Sequence, residues 1–342
     1  MNSKLKILLI YTGGTIGMIK DPVTGALKAF NFKELLANIP ELLQLSCTIE
    51  TKTFPEPIDS SNMNVAYWKL LVEIIENYYN NYDGFVILHG SDTMSYTASA
   101  VSFMLENLYK PIVFTGSQLP IGDLRTDAKE NLITSVQIAA LQKGDTAVIN
   151  EVCLYFEYKL YRANRTTKIN AEHFQAFTSL NYPPLAESGV HLKINDEDLL
   201  PMPKVKKLKV HKELDNNVVV IKLFPGINES VISSILSTKG LKVAILETYG
   251  AGNAPTSQWF LDAVKLASKK GILLIAVTQC SGGAVNLGQY QTSAHLKELG
   301  VISGKDITTE AAVAKAMYLL GSGISKKVFK TIFETPIRGE MV

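Results

Sequence analysis

The chain is expected to be an α/β protein of two domains, each built on a parallel sheet, and three observations predict this. Short, β-branched runs recur that are apolar at every position: Ile7 to Ile10, Phe85 to Leu88, Ile112 to Phe114 and Val152 to Phe156. Strands buried on both faces read this way, and parallel sheets bury both faces. Stretches of helical periodicity alternate with these runs: Trp68 to Tyr78, Ala98 to Leu108 and Ala128 to Leu141. Strand alternating with helix implies right-handed crossovers in one sheet. The chain is also 342 residues long, about two domains at roughly 150 residues each.

The N-terminal run Ile7 to Ile10 follows Lys4 and Lys6, an arrangement that imitates a signal peptide. It leads directly into Tyr11-Thr12-Gly13-Gly14-Thr15, with no small-residue cleavage site, so it reads as the first strand. Alternation breaks near residues 190–217. There a polar stretch, Pro201, Pro203 and four lysines (204, 206, 207 and 209) suggest a linker with an edge strand. The lysines read as a solvated face, because no aromatic residue is interleaved with them. Beyond the break, Val218 to Leu223, Val243 to Leu246 and Ile272 to Val277 read as strands, and Pro255 to Lys270 and Thr309 to Leu320 as helices. Asp306-Ile-Thr-Thr-Glu310 has the polar caps of a helix start. The expected division is a catalytic domain over 1–194, a linker over 195–217 and a smaller α/β domain over 218–342.

Composition narrows the function. The net charge of +2 excludes binding of nucleic acid by general phosphate attraction. No apolar run approaches the ~20 residues that cross a bilayer. Three scattered cysteines, 47, 153 and 280, form neither a disulfide framework nor a zinc motif, and a cytoplasmic location is the default expectation. Charged residues are 19% against a typical ~25%, which suggests surface reserved for contact between subunits.

In open parallel sheets ligands bind beyond the carboxyl ends of the strands. Three such ends carry glycine with hydroxyls: Thr12-Gly13-Gly14-Thr15, His89-Gly90-Ser91-Asp92-Thr93 and Thr115-Gly116-Ser117-Gln118. Any one of them is an ordinary capped turn; three at neighbouring strand ends suggest a site for a polar ligand. There is no GxxxxGK[ST], and Gly250 to Pro255 only half-matches GxGxxG. There is no GxSxG elbow either. The histidines (89, 173, 191, 211 and 295) lack metal spacing, and His89 reads as a packed side chain. What remains is a hydroxyl nucleophile without a histidine. It needs another base, and a lysine held by a carboxylate can serve. Lys168, at the end of Tyr161-Arg-Ala-Asn-Arg-Thr-Thr-Lys168, is one candidate.

At these residues the chain resembles the bacterial-type L-asparaginases, specifically the cytoplasmic type I group. The likeness runs through Tyr11-Thr-Gly-Gly-Thr-Ile-Gly-Met18, Asp59-Ser-Ser-Asn-Met63, His89-Gly-Ser-Asp-Thr-Met94 and Thr115-Gly-Ser-Gln118. It continues through Asn164-Arg-Thr-Thr-Lys168, Tyr249-Gly-Ala-Gly-Asn-Ala-Pro255 and Arg338-Gly-Glu340. The resemblance implies a two-domain asparaginase-like fold and hydrolysis of L-asparagine without metal or organic cofactor. It implies Thr15 as nucleophile, forming a β-aspartyl ester, with Ser91, Asp92 and Lys168 as a second hydroxyl–carboxylate–lysine group. Which of Thr15 and Ser91 attacks first stays open. Ser60 and Ser61, with Asn62 beside them, correspond to the grip on the substrate carboxylate. Asp92 corresponds to the group on its ammonium, and amides near Ser91 and Ser117 to the oxyanion hole. A homodimer or homotetramer is implied, with the site near an intersubunit face.

Three departures stand out. The family usually has threonine where this chain has Ser91, so the hydroxyl is kept on a looser χ1. The segment Asp21-Pro-Val-Thr-Gly-Ala-Leu-Lys28 lacks the tyrosine of many relatives, and Tyr290 is the expected replacement phenol for Thr15; an unchanged kcat in Tyr290→Phe would remove that assignment. Glu247 stands where an allosteric arginine is found, which predicts weak or absent asparagine cooperativity. The alternatives are an asparaginase-like subunit of a tRNA-dependent amidotransferase and an inactive amino-acid sensor. The first usually carries an extra N-terminal domain, whereas this chain opens on its first strand. The second needs a broken Thr15, Asp92 or Lys168, and all three are present.

Overall fold

The computed structural model describes residues 4–20, 27–29 and 39–342. The chain divides into two compact units, Met1–Lys212 and Glu213–Val342. In the first, the strands are β1 (Leu5–Gly13), β2 (Cys47–Ile58), β3 (Gly84–Leu88), β5 (Ile112–Thr115), β6 (Val152–Phe156), β7 (Lys159–Arg162), β10 (Ala186–Ser188) and β11 (Leu192–Ile194). They form one eight-stranded sheet in the order β11-β10-β7-β6-β5-β3-β1-β2. The five strands from β2 to β6 run parallel. The last three are antiparallel additions. The sheet is therefore mixed rather than purely parallel. Residues Glu157 and Tyr158 turn the chain between β6 and β7, both with positive φ, and this tight hairpin reverses the direction.

The continuous apolar runs have the expected cause. Ile7, Leu9, Val86, Leu88 and Val113 pack on one face with Leu132, Val136 and Ile138 of helix α3 (Ala128–Ala139). Leu8, Ile10, Phe85, Ile87 and Phe114 are fully buried on the other face. Helices α1 (Val65–Tyr78) and α2 (Met94–Met104) link the parallel strands. Asn64 caps α1 by accepting from Ala66 N at 2.9 Å. The helical periodicity through Leu108 overshoots, because the chain leaves α2 at Leu105. Leu105–Glu106 is instead a short strand, β4, which pairs with β12 (Lys209–Val210).

That pairing bears on the expected linker. Residues 195–212 fold with the first unit. Leu200 N donates to Glu151 Oε1 at 2.8 Å, Arg162 Nη2 to Asp198 O at 2.8 Å, and Asn150 Nδ2 to Pro201 O at 3.0 Å. The segment looks like a linker in sequence because its backbone is satisfied by distant side chains rather than by a ladder. Lys204, Lys206 and Lys207 are exposed.

The second unit has a four-stranded sheet, β13 (Val218–Lys222), β14 (Val243–Thr248), β15 (Leu273–Thr278) and β16 (Ile302–Ser303), parallel throughout. Helices α4 (Glu229–Leu236) and α5 (Gln258–Lys269) pack on its core, and α7 (Thr309–Gly321) starts at Thr308, whose hydroxyl accepts from Ala311 N at 3.2 Å. Between them comes α6 (Gln291–Glu298), and α8 (Lys326–Phe333) follows α7. Within α7, Lys315 is fully buried, bonded to Glu340 and donating to Phe333 O and Thr335 O, each at 2.7 Å. The Arg338-Gly-Glu340 motif thus closes a core in this unit.

Among the described residues no helix is long and apolar enough to cross a membrane, and no group of three or more potential metal ligands occurs. Cys47, Cys153 and Cys280 are free thiols, the first two buried.

Candidate active site

All of the expected site residues except Tyr290 lie in the first unit, and all of these but Lys168 sit at the carboxyl ends of β2, β1, β3 and β5, which are neighbours in that order. The loops beyond these strands touch through backbone. Gly14 has a φ of +91°, and a Cβ there would come within 2.5 Å of Gly90 Cα. A Cβ on Gly90 would come within 2.5 Å of Ser60 Oγ. Only residues without a side chain let the first two loops meet so closely at Gly14 and Gly90, and leave room at Gly90 for the Ser60 side chain of the third. Thr12 Oγ1 ties the first loop to the second by donating to Leu88 O at 3.0 Å, and Thr93 Oγ1 ties the second to the third by donating to Ser60 O at 2.7 Å.

This contact makes neighbours of the loops that carry Thr15, Ser91 and Ser60. Thr15 follows Gly14 and opens a short 3-10 turn, Thr15–Gly17, half-buried. Ser91 follows Gly90, also half-buried, and Asp92 is exposed. Ser60 is buried, while Ser61 and Asn62 are exposed on the 3-10 turn Ser60–Asn62. Asp59 caps that turn, accepting from Ser61 N and Ser61 Oγ, each at 2.8 Å, and these bonds hold its carboxyl below the usual range.

Lys168 reaches the second loop from β8 (Thr167–Lys168), which pairs with β9 (Phe177–Thr178). Its Nζ donates to Ser91 Oγ at 2.8 Å and to Asp92 Oδ1 at 2.7 Å. Buried residues hold the lysine's segment in place. Thr166 Oγ1 meets Ser95 Oγ of α2 at 2.9 Å and donates to Ala163 O at 2.7 Å. Behind it, Arg162 pairs with Glu151 at 2.6 Å, and the guanidinium groups of Arg162 and Arg165 stack over Tyr182.

His89 is fully buried directly before this loop, with Nδ1 2.7 Å from Gly90 O. A nitrogen facing a carbonyl carries the hydrogen. Burial pushes the imidazole down to about 4, so it is neutral and packed, as its sequence context suggests.

Two residues were not anticipated. Gln118 accepts the Ser91 hydroxyl at 3.2 Å, and its Nε2 donates to Ala171 O and His173 O at 3.0 and 3.1 Å. Asp127 accepts from the backbone N–H of Gln118 and Leu119 and from Asn131 Nδ2, at 3.0 to 3.2 Å; burial nevertheless raises its carboxyl. Gln118 follows a strand-end Gly-Ser, and Asp127 immediately precedes a helix. Those are the sequence signals that point to them. Ser117, by contrast, is buried and spends its hydroxyl on Leu119 O at 2.6 Å.

Tyr290 belongs to the second unit, half-exposed at the N-cap of α6. Glu247 lies there too, on β14, accepting from Thr309 Oγ1 at 2.8 Å. Residues 21–26 of the segment lacking a tyrosine lie outside the described residues.

The arrangement brings a positive-φ glycine turn followed by a threonine, a serine–carboxylate–lysine cluster and a serine-bearing turn to the carboxyl end of the sheet. It can deliver a hydroxyl to an electrophile, move a proton through a lysine, and bind both charges of a small zwitterion.

Comparison with known proteins agrees in extent. The family model for the asparaginase N-terminal domain matches residues 6–200, and that for the glutaminase/asparaginase C-terminal domain matches 217–333. L-asparaginase 1 of Escherichia coli K12 is 41% identical over 344 residues, covering 99% of this chain and 98% of its own. The mouse 60 kDa lysophospholipase is 37% identical, covering 100% of this chain and 63% of its own. Among solved structures, L-asparaginase I of Vibrio cholerae is 40% identical with a TM-score of 0.90, over 99% of this chain and all of that one.

Proposed function

We propose that this chain, which belongs to the asparaginase family, hydrolyses L-asparagine to L-aspartate and ammonia, with Thr15 as nucleophile. One observation carries the assignment of the chemistry to this end of the sheet: Lys168 Nζ lies 2.8 Å from Ser91 Oγ and 2.7 Å from Asp92 Oδ1, beside the loop that carries Thr15.

In this reading Thr15 Oγ attacks the side-chain amide carbon of asparagine. A C–O bond forms, the C–N bond breaks, and the nitrogen leaves as ammonia with the proton that the hydroxyl gave up. The β-aspartyl ester is then cleaved by water, which supplies OH to the carbonyl and a proton back to Thr15. The lysine–serine–carboxylate cluster moves the protons and orients the water. Ser60, Ser61 and Asn62 take the substrate carboxylate, and the exposed Asp92 takes the ammonium. Backbone amides near Ser91 and Ser117 face the developing oxyanion. Ser117 acts there through its N–H, since its hydroxyl is committed to Leu119 O.

The test is ammonia release from asparagine and from glutamine, with Thr15→Ala as the comparison. The expected result is release from asparagine without a partner protein, and a loss of about three orders of magnitude or more in Thr15→Ala. Silence on both substrates would overturn the reading in favour of a binding protein. Release from glutamine only beside a partner would favour an amidotransferase subunit. The chain is further read as a cytoplasmic homodimer or homotetramer. The location rests on its thiol usage and the dimer or tetramer on the family resemblance, with the charged fraction of 19% in support, and a monomer in solution scattering would overturn the oligomer.

A further inference from the structure

We infer that Gln118 is a positioning residue that fixes the Ser91 side chain, supplying by hydrogen bonding the restraint that this serine lacks in its own covalent structure. The inference rests on the proposed role of the Ser91–Asp92–Lys168 cluster.

A serine carries one heavy atom on Cβ, so three staggered χ1 positions are open to it. A β-branched residue is far stiffer. Ser91 is only half-buried, so packing alone does not choose the rotamer. Two hydrogen bonds do. Ser91 Oγ accepts from Lys168 Nζ at 2.8 Å and donates to Gln118 Oε1 at 3.2 Å. With its single proton given to Gln118, the hydroxyl turns a lone pair to the lysine.

Gln118 can impose this because it is held at three points. Both hydrogens of its amide are taken by backbone carbonyls, Ala171 O at 3.0 Å and His173 O at 3.1 Å, which turns Oε1 towards Ser91. Its backbone N–H is fixed on the Asp127 carboxylate at 3.0 Å. Asp127 in turn holds Leu119 N and Asn131, and Asn131 Nδ2 also donates to Gly116 O at 3.0 Å. The frame therefore runs from helix α3 through the β5 loop to the reactive hydroxyl, and every donor in it ends on a named acceptor.

The test is a double-mutant cycle on ammonia release with Gln118→Met, which keeps the side-chain length and removes its hydrogen bonds, and Ser91→Thr, which restores branching at Cβ. In the parent, Gln118→Met is expected to lower kcat about tenfold with KM within about twofold. In the Ser91→Thr background the same change is expected to cost less than about threefold, since the branched side chain restrains its own χ1. A purely structural role for Gln118 predicts the same factor in both backgrounds, and that result would overturn the inference, as would an unchanged kcat in Gln118→Met. Thermal melting checks folding. If Gln118→Met does not fold, Gln118→Asn withdraws the oxygen by one methylene and enters the same cycle with the same two outcomes. Lys168→Met separates the two readings: retained activity there overturns the site itself, whereas lost activity with equal factors in the cycle overturns only the role of Gln118.

Discussion

The two units each contain a lysine bonded to a carboxylate, and the pairs have opposite surroundings. Lys168 and Asp92 in the first unit meet at 2.7 Å with side chains 16% and 66% exposed. Lys315 and Glu340 in the second are both fully buried. The remaining donors of Lys315 end on the carbonyls of Phe333 and Thr335, and Glu340 accepts from Ile337 N and Arg338 N. Burial lowers the lysine's pKa, and the paired carboxylate opposes that shift. Nothing in that cluster is left to react. At Lys168 the further bond is to a serine hydroxyl beside solvent-exposed carboxylate. The same two residue types make a closed clasp when their hydrogen bonds end on backbone, and an open cluster, proposed above as the reaction centre, when they end on a half-buried hydroxyl.

The sharpest way to break this contrast is to remove each lysine's function in turn. Lys168→Met is expected to lower kcat/KM for asparagine by about three orders of magnitude while leaving the melting temperature nearly unchanged; the two readouts are ammonia release and calorimetry. Glu340→Ala is expected to act on stability instead, by about 3–5 kcal/mol, because it strands a buried ammonium. Urea unfolding measures this, with Asp215→Asn as the comparison. Asp215 binds Lys242 at 2.6 Å, but the lysine is half exposed, so that loss is expected at about 1 kcal/mol or less. Equal losses in the two variants would erase the distinction.

His89 sharpens the comparison within the first unit, since it is a closed group directly beneath the open one. Its ordinary value of 6.5 falls to about 4 in the fold. Below pH 6.5 the unfolded chain takes up a proton that the folded chain refuses until about pH 4. The stabilisation is therefore fully present above pH 6.5 and is lost as pH falls through that window, by up to roughly 3 kcal/mol. Chemical denaturation between pH 4 and 7 should show the slope, and His89→Asn should flatten it.

How much of this was legible follows the same division between apolar pattern and distant contact. The central strands were readable because β1, β3, β5 and β6 are buried on both faces, leaving uninterrupted apolar runs. Strand β2 was not. It lies at the sheet edge and exposes Glu56, Lys52 and Thr53 among others, so its sequence carries no continuous run. Strands β10 and β11 are three residues each and polar on one side, too short for periodicity to register. The three glycine–hydroxyl loops stand out in the sequence because each directly follows the apolar run of a parallel strand, whereas Lys168 lies on a two-residue antiparallel strand with no such marker. Gln118 carries no role in its sequence motif, because the partners of its side chain lie 27 to 55 residues away in sequence. Residues 195–212 carry a linker's composition for a related reason: a buried arginine and glutamate far away in the chain bond the backbone at Asp198 and Leu200.

The contact of Gly14 with Gly90 makes the spacing of the first two loops a property of the main chain, whereas Gly90 meets the third loop through the Ser60 side chain. Exchanging Ser91 or Ser61 leaves the spacing of Gly14 and Gly90 alone. A library meant to admit a bulkier amide should therefore vary loop length after these contacts and hold positions 14 and 90 constant, since any added carbon there pushes the walls apart and separates the groups that must act together.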